Sequence, residues 1–309
     1  MNKTSTMHNL LIRNHQLRWG ERTYVMGIIN TTPDSFSGDG LIGDRGDLIE
    51  RAVDQARSFV AAGADLLDVG GESTRPGATP ISVDEERDRV VPVIASIRAE
   101  LDAPISIDTW KAQVAAAALD AGADLINSIW GVRLPDGGWN LDLIDLVRSR
   151  DVPIVIMHNR RAQASVGAIG GHYQQVQYDD LIHDVLCDLE ADVQAATDRG
   201  VRADQIILDP GIGFGKTPAQ NIELLRQLDA FRSLGYPLLL GTSRKSFIGL
   251  ALGGVPPHER VEGSIATAVL GVHAGVDIVR VHDVAATVRA VRVADAIVRP
   301  GAWERLTTG

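Results

Sequence analysis

AAGADLLDVG (61–70), DAGADLINSI (120–129) and HAGVDIVRVH (273–282) are one pattern written three times. Each begins in an alanine-rich stretch, passes a glycine (Gly63, Gly122 or Gly275) and enters a short leucine-rich or β-branched run. Glycine at that place accepts the left-handed conformation that closes a helix. An apolar run without alternation suits a strand buried on both faces. Five positions after each glycine a polar side chain ends the run: Asp68, Asn127 and Arg280. Repeated helix-to-strand steps predict βα units on a parallel sheet.

Further apolar runs end in the same way. They are VMGIIN at Asn30, ISID at Asp108, IVIMH at His158, IILD at Asp209 and PLLLGTSRK around Thr242 to Lys245. With the three repeats they make eight strand candidates, and helical patterns lie between them. Eight parallel strands predict an α/β fold of one (β/α)8 TIM barrel; an open doubly wound sheet is the alternative. A barrel brings all eight carboxyl ends to one mouth, which accounts for so many polar strand ends. An open sheet needs them only near its switch point.

The 309 residues are 45% hydrophobic and 23% charged, an ordinary folded composition whose length also allows two average domains. No linker or shift in composition divides them, so residues 24–298 are read as one barrel. Residues 1–23 form an N-terminal extension in which LLIR and QLRW flank Asn14 and His15 as a hairpin turn, expected to cap the barrel's amino-terminal end. Residues 299–309 are read as a tail. Long loops follow the first strand (TTPDSFSGDGLIGDRG), the second (GGESTRPGATPIS) and the fifth (NRRAQASVGAIGGHYQQVQ), all at the C-terminal face.

Asp and Glu number 40 against 30 Lys and Arg, for a net charge of −10. That argues against a nucleic-acid partner and against an anionic membrane surface. It does not argue against a small anion, because a site is local and net charge is global. The single cysteine, Cys187, excludes a disulfide within the chain. It lies in the amphipathic DDLIHDVLCDLEADV and is read as a buried structural thiol. No apolar run approaches the roughly 20 residues of a membrane helix. The N-terminus lacks the pattern of a signal peptide, so the expected location is cytoplasmic.

The polar strand ends suggest chemistry. Asp108, Asn127 and Asp209 can pair with the edge of a flat heterocycle that has both donors and acceptors, or they can simply cap the following helices. Arg280 and His282 lie two apart on a strand and share a face, with a helix opening at Asp283. A guanidinium, an imidazole and a helix N-terminus suit a phosphate or pyrophosphate after the eighth strand. The alternative for Arg280 is a structural ion pair inside the mouth. One of Arg244 and Lys245 should face that mouth. DPGIGFGK lacks the G-x-x-x-x-G-K-[ST] spacing of a nucleotide loop; its glycines would instead turn the chain and present Phe214, to a ligand or as a loop anchor. His158 is a base, a ligand or a packed histidine. Asn30, with Asp34 or Asp39, could help hold a Mg²⁺ arriving with a pyrophosphate.

The ordered segments MGIINTTPDSFSGDG (26–40), DVGGESTRPGA (68–78), SIDTWK (106–111), LIN (125–127), MHNR (157–160), LDPGIGFGK (208–216), GTSRKSF (241–247) and RVHDV (280–284) resemble the dihydropteroate synthase family. That family consists of pterin-binding barrels which join p-aminobenzoate to 6-hydroxymethyl-7,8-dihydropterin pyrophosphate. The resemblance implies that Asp108, Asn127, Met157, Asp209, Lys245 and Arg280 bind the pterin. It implies that Asn30, Arg75, Arg280 and His282 hold the pyrophosphate, with Asn30 a ligand of Mg²⁺. Thr74, Pro76, Phe214 and Ser246 would shape the p-aminobenzoate site, and Asp39, Asp108, Lys245 and Arg280 would be catalytic. The usual FSDGG reads FSGDG here, which places the acid at Asp39. The resemblance also implies small-molecule partners and a homodimer formed through helices near the C-terminus. A pterin-binding paralogue without activity and a corrinoid-linked methyltransferase remain as alternatives.

Overall fold

A hairpin of β1 (Leu10–Ile12) and β2 (His15–Leu17) precedes the barrel in the computed structural model. The structure describes residues 9–32, 45–74, 78–166, 172–174 and 176–307. The first barrel strands are β3 (Tyr24–Asn30), β4 (Leu66–Gly70), β5 (Ile105–Asp108), β6 (Leu125–Ser128) and β7 (Ile154–Met157). A small antiparallel pair, β8 (Ser165–Val166) and β9 (Tyr173–Gln174), lies in the loop after β7. The barrel continues with β10 (Ile206–Asp209), β11 (Leu239–Leu240) and β12 (Ile278–Val281).

Hydrogen bonding runs β10–β7–β6–β5–β4–β3–β12–β11 through parallel pairs. A parallel bridge between Leu208 and Leu238 joins the two ends of that order. The Leu208 N–H donates to the Pro237 carbonyl there, at 2.9 Å. The strands therefore form a nearly closed (β/α)8 barrel, not an open sheet. Around it lie α1 (Arg45–Ala61), α2 (Val83–Glu100), α3 (Ala112–Asp120), α4 (Leu141–Arg150) and α5 (Leu181–Asp198). They are followed by α6 (Pro218–Arg226), α7 (Ser246–Ala251), α8 (Val261–Ala274), α9 (Val284–Val298) and α10 (Ala302–Thr307).

The three repeats fold alike. Gly63, Gly122 and Gly275 have φ of +96°, +111° and +91°. In each repeat the next residue closes a six-residue turn: Ala64 N–H to Phe59 O, Ala123 to Ala118 and Val276 to Gly271, at 2.9, 2.9 and 3.0 Å. These are Schellman closures, in which the left-handed glycine lets orphan carbonyls of the last helical turn find donors. Two residues after each glycine stands an aspartate, and its carboxylate accepts the N–H at the start of the preceding strand. Asp65 takes Val25 at 2.9 Å, Asp124 takes Ile105 at 2.8 Å and Asp277 takes Leu238 at 3.1 Å. The repeat thus ties the amino-terminal rim of the barrel, a role that its apolar periodicity did not reveal.

The interior of the barrel is filled by Met26, Leu66, Leu125, Val155, Ile207, Leu239 and Ile278, and Leu10, Ile12 and Leu17 of the hairpin pack in the same cluster. The hairpin register, Ile12 opposite His15, puts the turn at Arg13 and Asn14, one residue earlier than expected. Arg13 takes the left-handed conformation there, with φ +53°. The segment after residue 298 is more than a tail. Arg299 is buried, paired to Asp295 at 2.7 Å and bonded to Thr23 at 2.9 Å, and α10 follows.

Cys187 corrects another expectation: it is exposed, not buried. Helix α5 turns Val185, Leu189, Asp192 and Ala196 inward, which leaves Cys187 on its outer face beside His183. Among the described residues, no helix is long and apolar enough to cross a membrane.

Candidate active site

The polar residues that end the three repeats meet at the carboxyl end of the barrel. Arg280 Nε donates to Asp68 Oδ2 at 2.5 Å, and Asn127 Nδ2 donates to the same oxygen at 3.2 Å. Arg280 Nη2 reaches Asp108 Oδ2 at 2.6 Å. The β5–β6 register sets Asp108 directly beside Asn127. Asp68 has no solvent exposure. The Asp68 and Asp108 Oδ1 atoms are both buried without a hydrogen-bond partner. A buried carboxylate oxygen in that state is an acceptor awaiting a donor. Burial pushes the Asp108 carboxyl up to about 7, against the pull of Arg280 and with Asp68 adding to the rise. Arg280 therefore forms the ion pair considered as its structural alternative, and it also lines the cavity at the mouth.

Arg244 and Lys245 both line the cavity, and the one beside Asp209 and Asp108 is Lys245. Its Nζ lies 4.0 Å from the centre of the Phe214 ring. Burial and the nearby Arg280 lower its pKa to about 8, while Asp209 and Asp108 resist that shift. Asp209 accepts the Gly211 N–H at 2.7 Å, and burial raises its carboxyl to about 6. Met157 sits opposite Asp209 in the β7–β10 register and packs with Ile129, Trp130 and Phe214. Arg244 instead makes a two-pronged pair with Asp283, at 2.6 and 3.0 Å, from a left-handed backbone of φ +57°.

His282 is fixed by Ser243. The Ser243 Oγ accepts the His282 backbone N–H at 3.1 Å and lies 2.9 Å from Nδ1. Burial first, then the positive Arg280 and Arg244, lower the imidazole pKa to about 3. A neutral ring that accepts a hydrogen bond from the serine hydroxyl at Nδ1 carries its N–H on Nε2, where it can donate to an anion.

A cavity of about 890 Å³ opens at this mouth. Of the residues expected at the site, Asn30, Thr74, Asp108, Lys245, Ser246, Arg280 and His282 line it. Asn127 stands in register with Asp108 and Phe214 lies against Lys245, while Met157 packs with Phe214 and sits opposite Asp209. Asp39, Arg75 and Pro76 lie outside the described residues, as does Asp34.

Sequence reasoning missed a support beneath the site. Lys216, 1% exposed, donates to the carbonyls of Gly211 (2.9 Å) and Phe214 (3.1 Å) and to His158 Nδ1 (2.9 Å). His158 Nε2 in turn meets Asp188 Oδ2 at 3.0 Å, and Arg160 meets the same oxygen at 2.8 Å. Burial, together with the positive Lys216, lowers the His158 pKa to about 3, so the ring is a neutral strut. The glycine-rich stretch is accordingly a carrier for Phe214, with its lysine turned back on its own carbonyls instead of on a phosphate. Gly211 has φ +73°, and an added Cβ would fall inside the carbonyl oxygen of His158. Gly211→Ala is expected to destabilise the fold by at least about 2 kcal/mol, read as an earlier thermal transition.

Among the described residues, no three or more His, Cys, Asp or Glu side chains are grouped as metal ligands. The chain matches the family model described as pterin binding enzyme over residues 26–282. It is 48% identical over 281 residues to a dihydropteroate synthase of Clostridium beijerinckii, covering 91% of this chain and 96% of that one. The chain belongs to the dihydropteroate synthase family. A dihydropteroate synthase from Clostridium difficile, solved in the presence of pteroic acid, superposes with a TM-score of 0.81 at 45% identity. That match covers 91% of this chain and 98% of the other. The Xanthomonas albilineans dihydropteroate synthase in complex with 7,8-dihydropteroate gives 0.79 at 38% identity, over 94% and 98% of the two chains. As a dihydropteroate synthase the chain is a transferase, and the corrinoid methyltransferase alternative is set aside.

Proposed function

We propose that the mouth seats the pterin of 6-hydroxymethyl-7,8-dihydropterin pyrophosphate against Asp108, Asn127, Asp209 and Lys245, over Met157. The observation that carries this reading is the unpartnered Oδ1 of Asp108, buried beside the cavity while Arg280 holds the other oxygen. A pterin N–H satisfies that acceptor. Asn127 gives one amide N–H to Asp68, which leaves its other N–H and its carbonyl oxygen for the ring. Arg280 and the Nε2–H of His282 hold the pyrophosphate, with Arg75 and Asn30. Thr74, Pro76, Phe214 and Ser246 receive p-aminobenzoate. Asp39, which follows β3 in sequence, completes the catalytic set. The pteroic acid and dihydropteroate named with the solved relatives support the choice of substrates.

The reaction breaks the bond between the pterin methylene and the pyrophosphate oxygen, which departs with the electron pair. Positive charge grows on the methylene, and the Asp108 carboxylate stabilises it through space. The arylamine nitrogen then bonds to that carbon and loses a proton. An aniline is nucleophilic without a base, so positioning and exclusion of water suffice. Asn30 lines the cavity as a single hard oxygen donor, which suits Mg²⁺, an ion that keeps waters and shares substrate phosphates. When bound, Mg²⁺ would neutralise charge on the leaving pyrophosphate.

Incubating the chain with Mg²⁺, p-aminobenzoate and the pterin pyrophosphate is expected to yield dihydropteroate and an equal amount of pyrophosphate. Binding of both substrates without product would assign the chain to an inactive pterin-binding role instead.

A pH profile follows from the raised carboxyl. Protonation removes the negative charge that the methylene needs, so kcat/KM for the pterin substrate should fall as pH drops through about 7. Protonation of Asp209 near 6 should deepen the fall. A profile flat from pH 5 to 8 would contradict the role given to Asp108.

The chain is further proposed to be a cytoplasmic homodimer. Leu270 on α8, Val293 and Ile297 on α9 and Trp303 on α10 are 58%, 62%, 78% and 62% exposed. Val293 and Ile297 are four apart on one helical face. Sedimentation at micromolar concentration is expected to give twice the chain mass of 33.1 kDa.

A further inference from the structure

The loop between β4 and α2 carries Thr74 to the cavity. Its two ends are tied to each other by side chains. The Ile81 N–H donates to Glu72 Oε2 at 3.2 Å, although the two residues are nine apart in sequence. Lys111 Nζ donates to that same oxygen at 2.6 Å, to the Ile81 carbonyl at 2.7 Å and to Glu86 Oε2 on α2 at 2.6 Å. All three ammonium protons are used. The side chains of Lys111, Glu72 and Glu86 are 7%, 8% and 1% exposed, with Glu72 at the edge of the cavity.

The placement of the cation is informative. Lys111 stands at the start of α3, three residues beyond Asp108 at the end of β5. Its ion-pair and hydrogen-bond acceptors nonetheless belong to the neighbouring loop and to the helix that follows it. Asn127 and Asp209, at the ends of β6 and β10, and Lys245, just before α7, are the residues assigned to the pterin, and none of them bonds to Lys111, Glu72 or Glu86. A lysine placed only to stabilise the barrel would have no reason to bridge both ends of a loop at the mouth.

We infer that Lys111 is a positioning residue for the arylamine half of the site, holding Glu72 and Ile81 together so that Thr74 meets p-aminobenzoate. The inference rests on the reading of Thr74 as a p-aminobenzoate contact. With one ammonium facing two buried carboxylates, loss of the cation leaves both unpaired, and the loop ends part to rehydrate them. The hydrogen bonds of Asp108, Asn127 and Asp209 run to Arg280, Asp68 and Gly211, not through the cluster.

Three variants separate the possible outcomes: Lys111→Met, Glu72→Gln and Thr74→Val. Steady-state constants for both substrates are measured on each, with calorimetric binding of the pterin pyrophosphate. Lys111→Met is expected to raise KM for p-aminobenzoate about tenfold or more, with kcat within about threefold and pterin pyrophosphate affinity within about twofold of the parent. Glu72→Gln keeps an acceptor for Ile81 and drops one charge, so it should give a smaller rise of the same kind. It carries the test should Lys111→Met not fold. If Thr74→Val raises KM for p-aminobenzoate while the other two do not, the inference is overturned and the site reading stands. If none of the three raises it, the site reading is wrong and the inference goes with it.

Discussion

Asp108→Asn is expected to lower kcat about 10²–10³-fold while the thermal transition stays where it is or moves up. The substitution keeps the shape of the side chain and an acceptor for Arg280, and it removes only the charge. That charge is the one placed to face a methylene that turns cationic as pyrophosphate leaves. Stability should move the other way. Burial raises the folded-state pKa of Asp108 to about 7 from an ordinary 3.8, so the folded chain binds the proton more tightly than the unfolded chain. This group's contribution to stability therefore falls as pH rises from about 4 to about 7 and is at its worst above that. Asparagine removes the penalty. Lost turnover with an intact melting curve at pH 8 is the expected pair of results. Full pyrophosphate release from Asp108→Asn would sink the role given to this carboxylate.

Arg280→Met should cost the most, because one guanidinium serves two buried carboxylates and, by the reading above, the leaving group. Without it Asp68 keeps only the 3.2 Å bond from Asn127, and Asp108 Oδ2 loses its donor. Breaking a buried pair from one side typically costs about 3–5 kcal/mol, since the remaining charge is left in a poorly solvating place. The chain should therefore melt earlier than the parent. Turnover should fall about 10³-fold, from loss of charge stabilisation on the departing pyrophosphate. The double variant Asp68→Asn with Arg280→Met separates the two effects. It should recover part of the stability and none of the activity, measured by thermal denaturation and by dihydropteroate formed. Recovery of activity in the double variant would mean that Arg280 acts only as a counter-ion for Asp68.

The barrel was legible because its repeat writes local physics directly into the chain. A glycine that must turn left-handed and an apolar run without alternation are signals confined to ten residues. The polar strand ends were legible for the same reason, since a strand that stops in Asp, Asn or Arg declares which rim faces the ligand. Pairing was not legible. Arg280 and Asp68 are 212 residues apart and Arg280 and Asp108 are 172 apart, and only barrel closure brings them within hydrogen-bond reach. Asp68 went unassigned because its work is to aim Arg280 and Asn127, and no local pattern marks a residue that acts through others. The same holds for Lys216, which looked like part of a glycine-rich loop until its acceptors were visible. Cys187 was misplaced because an amphipathic segment gives its period more clearly than its phase. His183 lies beside the thiol on the outer face, and Val185 and Leu189 define the inner one. The hairpin turn slipped by one residue because Arg13, an unremarkable residue for a turn, takes the left-handed position.

The most direct measurement is a crystal structure of the chain with 6-hydroxymethyl-7,8-dihydropterin pyrophosphate bound. The expected result is a pterin N–H within hydrogen-bond distance of Asp108 Oδ1, the ring edge on Asn127 and Asp209, and the pyrophosphate on Arg280 and His282 Nε2. A pterin bound away from the Asp68–Arg280–Asp108 group, with Asp108 Oδ1 still unpartnered, would contradict the account.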